Sequence, residues 1–148
     1  MGSSIDVLLV EDDPGDVALT REALKETRSG MKLSVVEDGE KALEYLRREG
    51  PYEACPRPDL ILLDLNLPRK DGREVLREIK ADAELRAIPV VVMTTSDADK
   101  DVLSCYGCGA NCFVSKPGAF EEFVRVVKRI EDFWLLTARL PPHRRAEC

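Results

Sequence analysis

The sequence has a single histidine, His143, set in a tail rich in proline and arginine. Acid–base chemistry run by histidine, and metal sites built from several imidazoles, are therefore nearly excluded. No apolar run approaches the ~18 residues that a membrane span needs. Basic residues are not in excess either: 22 Lys and Arg stand against 28 Asp and Glu, a formal net charge of −6. That balance argues against nucleic acid or an anionic membrane as the main partner, since each would want a basic face. Aromatics make up only 5% of the residues, and Tyr45 and Tyr52 read as packing or surface groups rather than ligands. The start, Met1-Gly2-Ser3-Ser4-Ile5-Asp6, has no signal-peptide core, and Asp6 stands where a myristoylation motif wants Ser or Thr. The expectation is a cytoplasmic protein. Its cysteines, Cys55, Cys105, Cys108, Cys112 and Cys148, are odd in number, which predicts reduced thiols rather than a disulfide framework.

What is present suffices for one core. The chain has 148 residues, 44% apolar and 34% charged, and a domain of that length buries roughly 68 to 70% of its unfolded surface without a metal or disulfide staple. Short runs of Val, Leu and Ile recur at Ile5 to Val10, Leu33 to Val36, Leu60 to Leu63, Val90 to Met93 and Cys112 to Val114. Apolar runs without alternation are the pattern of strands covered on both faces. Between them lie amphipathic stretches: Val17, Thr20 and Leu24 share one helical face, Ala42, Leu43 and Leu46 another, Val75, Leu76 and Ile79 a third. The last helix places Phe120, Phe123, Val124, Val127, Ile130 and Trp134 at steps of three and four. Turn signals separate the units: Gly30, the Pro51 to Pro58 loop, Ala87-Ile88-Pro89, and Gly107 to Asn111. Strand and helix alternate, which implies parallel strands, right-handed crossovers and a three-layer α/β domain over 1–132. Residues 133–148 read as a C-terminal helical extension and tail, with Pro141-Pro142 stopping the helix.

In an open α/β sheet, ligands bind beyond the carboxyl ends of the strands where strand order reverses. The residues there are Glu11-Asp12-Asp13, Asp64, Thr94-Thr95-Ser96 and Ser115-Lys116-Pro117. Glu11, Asp12 and Asp64 bring three negative charges and Lys116 returns one positive. Carboxylates a few ångströms apart cannot all stay ionised uncompensated, and a divalent cation would close the sum. Oxygen ligands without His or Cys select a hard ion, and Mg²⁺ suits one or two carboxylates plus phosphate oxygens. The cluster thus reads as a Mg²⁺-assisted phosphoryl site. A plainer reading, an acidic helix start, fits Asp13-Pro14 and Asp16.

The acidic pair Glu11-Asp12, Asp64 within Leu-Leu-Asp-Leu-Asn-Leu-Pro, Thr94 after Val-Val-Val-Met, and Lys116-Pro117 after Ala-Asn-Cys-Phe-Val-Ser occur in order along the alternating units. From about Ile5 to Ile130 the chain resembles the receiver domain of two-component response regulators. The resemblance implies a flavodoxin-like, doubly wound sheet of order 2-1-3-4-5 with five helices. It implies Asp64 as phosphoacceptor, Asp12 and Asp64 as Mg²⁺ ligands with the carbonyl of Asn66, and Glu11 as an outer-sphere partner. Thr94 and Lys116 become the phosphate-contacting pair, and a cis peptide falls at Lys116-Pro117. Phe113 occupies the position of the family's switch aromatic, coupled to Thr94; lacking a phenol, it leaves a packing switch only. Glu-Asp-Asp-Pro-Gly-Asp at 11–16, Leu-Asn-Leu-Pro-Arg-Lys-Asp-Gly at 65–72 and Phe-Trp-Leu at 133–135 are similar to the stand-alone regulators of phytochrome-type histidine kinases in bacteria and cyanobacteria.

The resemblance implies a regulator rather than an enzyme. It would take a phosphoryl group from a sensor histidine kinase and act as a phospho-switch or, alternatively, as a phosphate sink or relay intermediate. A haloacid-dehalogenase-like phosphatase would need an acid where Asn66 stands. A thiol or metal site at Cys105, Cys108 and Cys112 lacks an obvious fourth ligand unless His143 or Cys148 folds back; otherwise these are small buried thiols. Val126, Phe133, Leu136 and Leu140 carry apolar bulk beyond the sheet-facing stripe, which predicts a homodimer through the last helix and tail.

Overall fold

The computed structural model describes residues 5–25 and 31–142. Strands β1 (Ile5–Val10), β2 (Met31–Val36), β3 (Leu60–Leu63), β4 (Val90–Thr94) and β5 (Cys112–Ser115) alternate with helices α1 (Pro14–Lys25), α2 (Gly39–Leu46), α3 (Gly72–Ala81), α4 (Asp99–Cys108) and α5 (Phe120–Asp132). All strand pairs are parallel, in the order β2-β1-β3-β4-β5. The central strands β3 and β4 are buried at every residue, whereas the edge strands β2 and β5 are only partly so. Their side chains alternate between two layers. Leu8, Val10, Ile61, Leu63, Val90 and Val92 pack with residues of α2, α3 and α4 on one face. Val7, Leu9, Leu60, Leu62 and Val91 face the other side, where Met93 meets Ala23 of α1 and Phe123 and Val127 of α5.

Two side-chain caps set helix starts beside the functional rim. Asp38 accepts a hydrogen bond from the Lys41 amide at 2.7 Å, and Asp71 one from the Arg73 amide at 3.0 Å. The β3–α3 loop between them is tightly seated. A Cβ on Gly39 would stand 2.0 Å from the Lys70 carbonyl oxygen, and one on Gly72 would stand 2.2 Å from that of Asp64.

The carboxyl-terminal region departs from the sequence expectation in three respects. Phe120 is 63% exposed rather than sheet-facing, because it opens α5 before the apolar stripe reaches the sheet. Val126, expected off the stripe, packs against the α1–α5 layer. Helical winding does not continue to Pro141: α5 passes at Phe133–Thr137 into a π-helical turn, and Ala138 is extended. That turn swings Trp134 back against the cluster holding Val7, Leu9 and Leu62, with the Phe133 ring edge-on to it at 5.1 Å. Phe133 and Leu136 remain exposed. None of the described peptide bonds is cis, Lys116-Pro117 included; the two isomers of an X-Pro bond lie within ~1 kcal/mol, so the motif alone does not select one. Gly30, His143, Arg144, Arg145, Cys148 and Met1 to Ser4 lie outside the described residues. Among those described, no helix is long and apolar enough to cross a membrane.

Candidate functional site

Strand order reverses around β1, which has β2 on one side and β3 on the other. The crevice this creates opens at the carboxyl ends of the strands. The backbone ladder runs on into the site residues: the Glu11 amide donates to the Val36 carbonyl, the Asp64 amide to Val10 and the Lys116 amide to Thr94. Strand pairing thus places three side chains from distant parts of the chain on one rim.

Glu11 and Asp64 are buried and Asp12 is exposed, and their carboxylates can each offer an oxygen within 4.8 Å of the others. Such an all-oxygen donor set fits a hard divalent cation such as Mg²⁺. Lys116, with only 6% of its side chain exposed, donates to Glu11 Oε1 at 2.6 Å, Asp16 Oδ2 at 2.7 Å and Asp64 Oδ2 at 3.0 Å. Burial pushes the Glu11 carboxyl up to about 7; the Lys116 hydrogen bond opposes this and the Asp64 charge adds to it. Burial works against the charge on Lys116 too, yet hydrogen bonds to Asp16 and Glu11 raise its pKa above that of a free lysine.

Asp16 is therefore a member of the site that sequence reasoning assigned to the helix start. One signal could have found it: Asp16, Thr20 and Ala23 follow at i, i+4 and i+7, and both later residues are buried. Asp13, by contrast, does what a helix start asks, accepting from the Gly15 amide at 2.8 Å. Asn66 is exposed, and its amide donates to Asp64 Oδ1 at 3.2 Å. Thr94 is fully buried at the end of β4.

Phe113 packs half-buried against the layer formed by α2, α3 and α4. Its backbone N–H donates to the Tyr106 hydroxyl of α4 at 3.1 Å. The phenol of the neighbouring helix thus meets the backbone of Phe113, whose own side chain offers packing alone. The thiols do not converge: Cys105 and Cys108 belong to one face of the sheet and Cys112 to the other. Burial pushes the Cys105 and Cys112 thiols up, away from the thiolate a metal would need. The acidic trio is the one potential metal-ligand cluster among the described residues.

Residues 7–128 match the family model of the response regulator receiver domain. The chain belongs to that family. The receiver is similar to response regulator Rcp1 of the cyanobacterium Synechocystis, with 47% identity over 135 residues, covering 91% of this chain and 92% of that protein. Its fold matches the phosphorylated cyanobacterial phytochrome response regulator RcpA at a TM-score of 0.92 and 47% identity, covering 95% of this chain and 100% of that one. The Mn²⁺-bound form of Rcp1 matches at 0.90 and 46% identity, covering 93% and 99%. The five-stranded parallel sheet with five helices is that of the receiver fold, as expected from the sequence.

Proposed function

We propose that this receiver accepts a phosphoryl group on Asp64 from the phosphohistidine of a sensor histidine kinase. The observation that carries the reading is the ammonium of Lys116 at 3.0 Å from the Asp64 carboxylate, beside two further acids. In the transfer, an Asp64 oxygen forms the new O–P bond as the P–N bond to the kinase imidazole breaks. The imidazole nitrogen keeps the electron pair and takes up a proton. Phosphoryl transfer depends mostly on positioning and charge neutralisation, and the rim supplies both. Asp12, Asp64 and the Asn66 carbonyl, with Glu11 behind them, would hold Mg²⁺, which would supply positive charge against the phosphoryl oxygens. Lys116 and the Thr94 hydroxyl contact the same oxygens, and Phe113 carries the change in Thr94 to the surface.

The protein is a cytoplasmic phospho-switch rather than a turnover enzyme, since Asn66 gives no acid where an aspartyl-phosphate hydrolase needs one. Its similarity to regulators of phytochrome signalling supports a phytochrome-type kinase as partner. Residues 1–132 form the receiver and 133–148 an extension; exposed Phe120, Phe133 and Leu136 support a homodimer through the last helix and tail. The test is incubation with acetyl phosphate and Mg²⁺ followed by intact mass. The expected result is one added phosphate on the wild type, abolished by excess chelator and by Asp64→Asn, with the circular dichroism of that variant unchanged. A phosphate persisting on Asp64→Asn overturns the assignment.

A further inference from the structure

The three N–H donors of an ammonium are all committed in Lys116, one each to Glu11, Asp16 and Asp64. Two of these acceptors, Glu11 and Asp64, belong to the acidic trio that fits a divalent cation. A cation there would draw directly on the lone pairs of Asp64, engage Glu11 behind it through bound water, and repel the ammonium. Asp16 stands apart from the trio: it rises from the first turn of α1 and keeps 23% of its side chain exposed. Its backbone is set by the helix, where the Thr20 hydroxyl donates to the Asp16 carbonyl at 2.8 Å.

We infer that Asp16 is a positioning residue for Lys116, the anchor that holds the ammonium at the phosphoryl side of the site once a metal claims its other two partners. The inference rests on the phosphoacceptor reading of Asp64. With one N–H fixed on Asp16, the lysine head pivots and turns its other two toward incoming phosphoryl oxygens. Lysine is a point charge on a flexible stem, so without that anchor its location near the metal is lost. Charge alone does not explain the arrangement: an acid serving only the α1 dipole would not need to face Lys116 at 2.7 Å.

The test combines a double-mutant cycle with a direct observation of the ammonium. Phosphorylation by acetyl phosphate at saturating Mg²⁺ is followed by intact mass in wild type, Asp16→Asn, Lys116→Ala and the double variant. Asp16→Asn should slow phosphorylation about tenfold in the wild-type background and by less than about twofold in Lys116→Ala, because coupled residues are non-additive. Asp16→Glu should restore most of the rate. In parallel, the side-chain ammonium resonance of Lys116 is followed by ¹⁵N NMR as Mg²⁺ alone is added. It should persist in the wild type and vanish in Asp16→Asn. Equal slowing in both backgrounds, or an ammonium signal as persistent in Asp16→Asn as in wild type, overturns the anchor. Failure of the wild type to gain phosphate overturns the Asp64 reading instead, and the NMR comparison still decides Asp16.

Discussion

Arg73 of α3 grips Asp101 of α4 through two parallel hydrogen bonds, Nε to Oδ1 and Nη2 to Oδ2, each 3.0 Å long. This forked geometry is the one guanidinium and carboxylate share best. Ser96, in the loop that follows Thr94, donates its hydroxyl to the same carboxylate at 2.6 Å. The start of α4 is thus tied both to α3 and to the chain leaving the buried threonine. The Arg73 hydrogen bonds first, and the Ser96 hydroxyl second, hold the Asp101 carboxyl down at about 2, below its ordinary 3.8.

A pH dependence follows from that depression. A carboxyl whose folded pKa is lowered contributes stability above its unfolded value and loses it as pH falls through the folded one. The contribution of Asp101 should be complete above about pH 4 and disappear toward about pH 2. Thermal melts across that window should show Asp101→Asn less stable than wild type at pH 6, with the difference closing by pH 2. A constant difference would remove the pair from the acid response.

The acids at the end of β1 should separate by role. Asp12→Ala should weaken Mg²⁺ binding about tenfold or more in calorimetric titration, whereas Asp13→Ala should leave it within about twofold. The second variant should instead lose ~1 kcal/mol of folding stability through its missing helix cap. Equal losses of metal affinity would show that Asp13 also faces the site.

Two glycines make a matched comparison. At Gly39 a methyl group would collide with the Lys70 backbone carbonyl, and at Gly107 in α4 it would meet nothing within 4 Å. Gly39→Ala should therefore cost ~1–3 kcal/mol in urea unfolding as the β3–α3 loop is forced aside. Gly107→Ala should be neutral or stabilise by up to ~1 kcal/mol, since a helical glycine gives up more entropy than alanine. Similar effects at both sites would remove the contact as the cause.

The extension holds two kinds of apolar residue. Trp134 packs on the sheet and Leu136 is 75% exposed. Trp134→Ala should cost ~2 kcal/mol of stability, less than a fully buried tryptophan. Leu136→Glu should leave the melt unchanged and shift sedimentation toward monomer at tens of micromolar. If Leu136→Glu instead unfolds the chain or leaves its association as in the wild type, the tail is not the interface.

The places of Asp64, Thr94 and Lys116 at strand ends were legible in the sequence because each follows or closes an apolar run, and in a parallel sheet such ends lie on one rim. Both faces of β3 and β4 need apolar cover, so their non-alternating runs announced burial directly. Asp16 was not legible as a site residue, because an acid in a first helical turn is equally explained by the helix dipole. Tyr106 was hidden for a different reason: what it contacts is a backbone amide, and no pattern of side chains records that. The switch from α-helical to π-helical winding at Phe133 likewise leaves no trace in an apolar periodicity that runs on through Trp134. The three cysteines near β5 were ambiguous by spacing alone, and the pleat of the strand decided them by sending Cys112 to the opposite face.

The hydroxyl of Tyr106 has a consequence for how copies of this protein meet one another. β5 is an outermost strand, and an uncovered outer strand offers its amides as a template for another chain. By occupying the Phe113 amide, the α4 tyrosine stoppers that border at its middle, so crowded molecules find one amide fewer on which to stack strand upon strand. The cover of that border thereby hangs on a single hydrogen bond, and any motion that lifts α4 from β5 exposes the sheet's raw border for as long as it lasts.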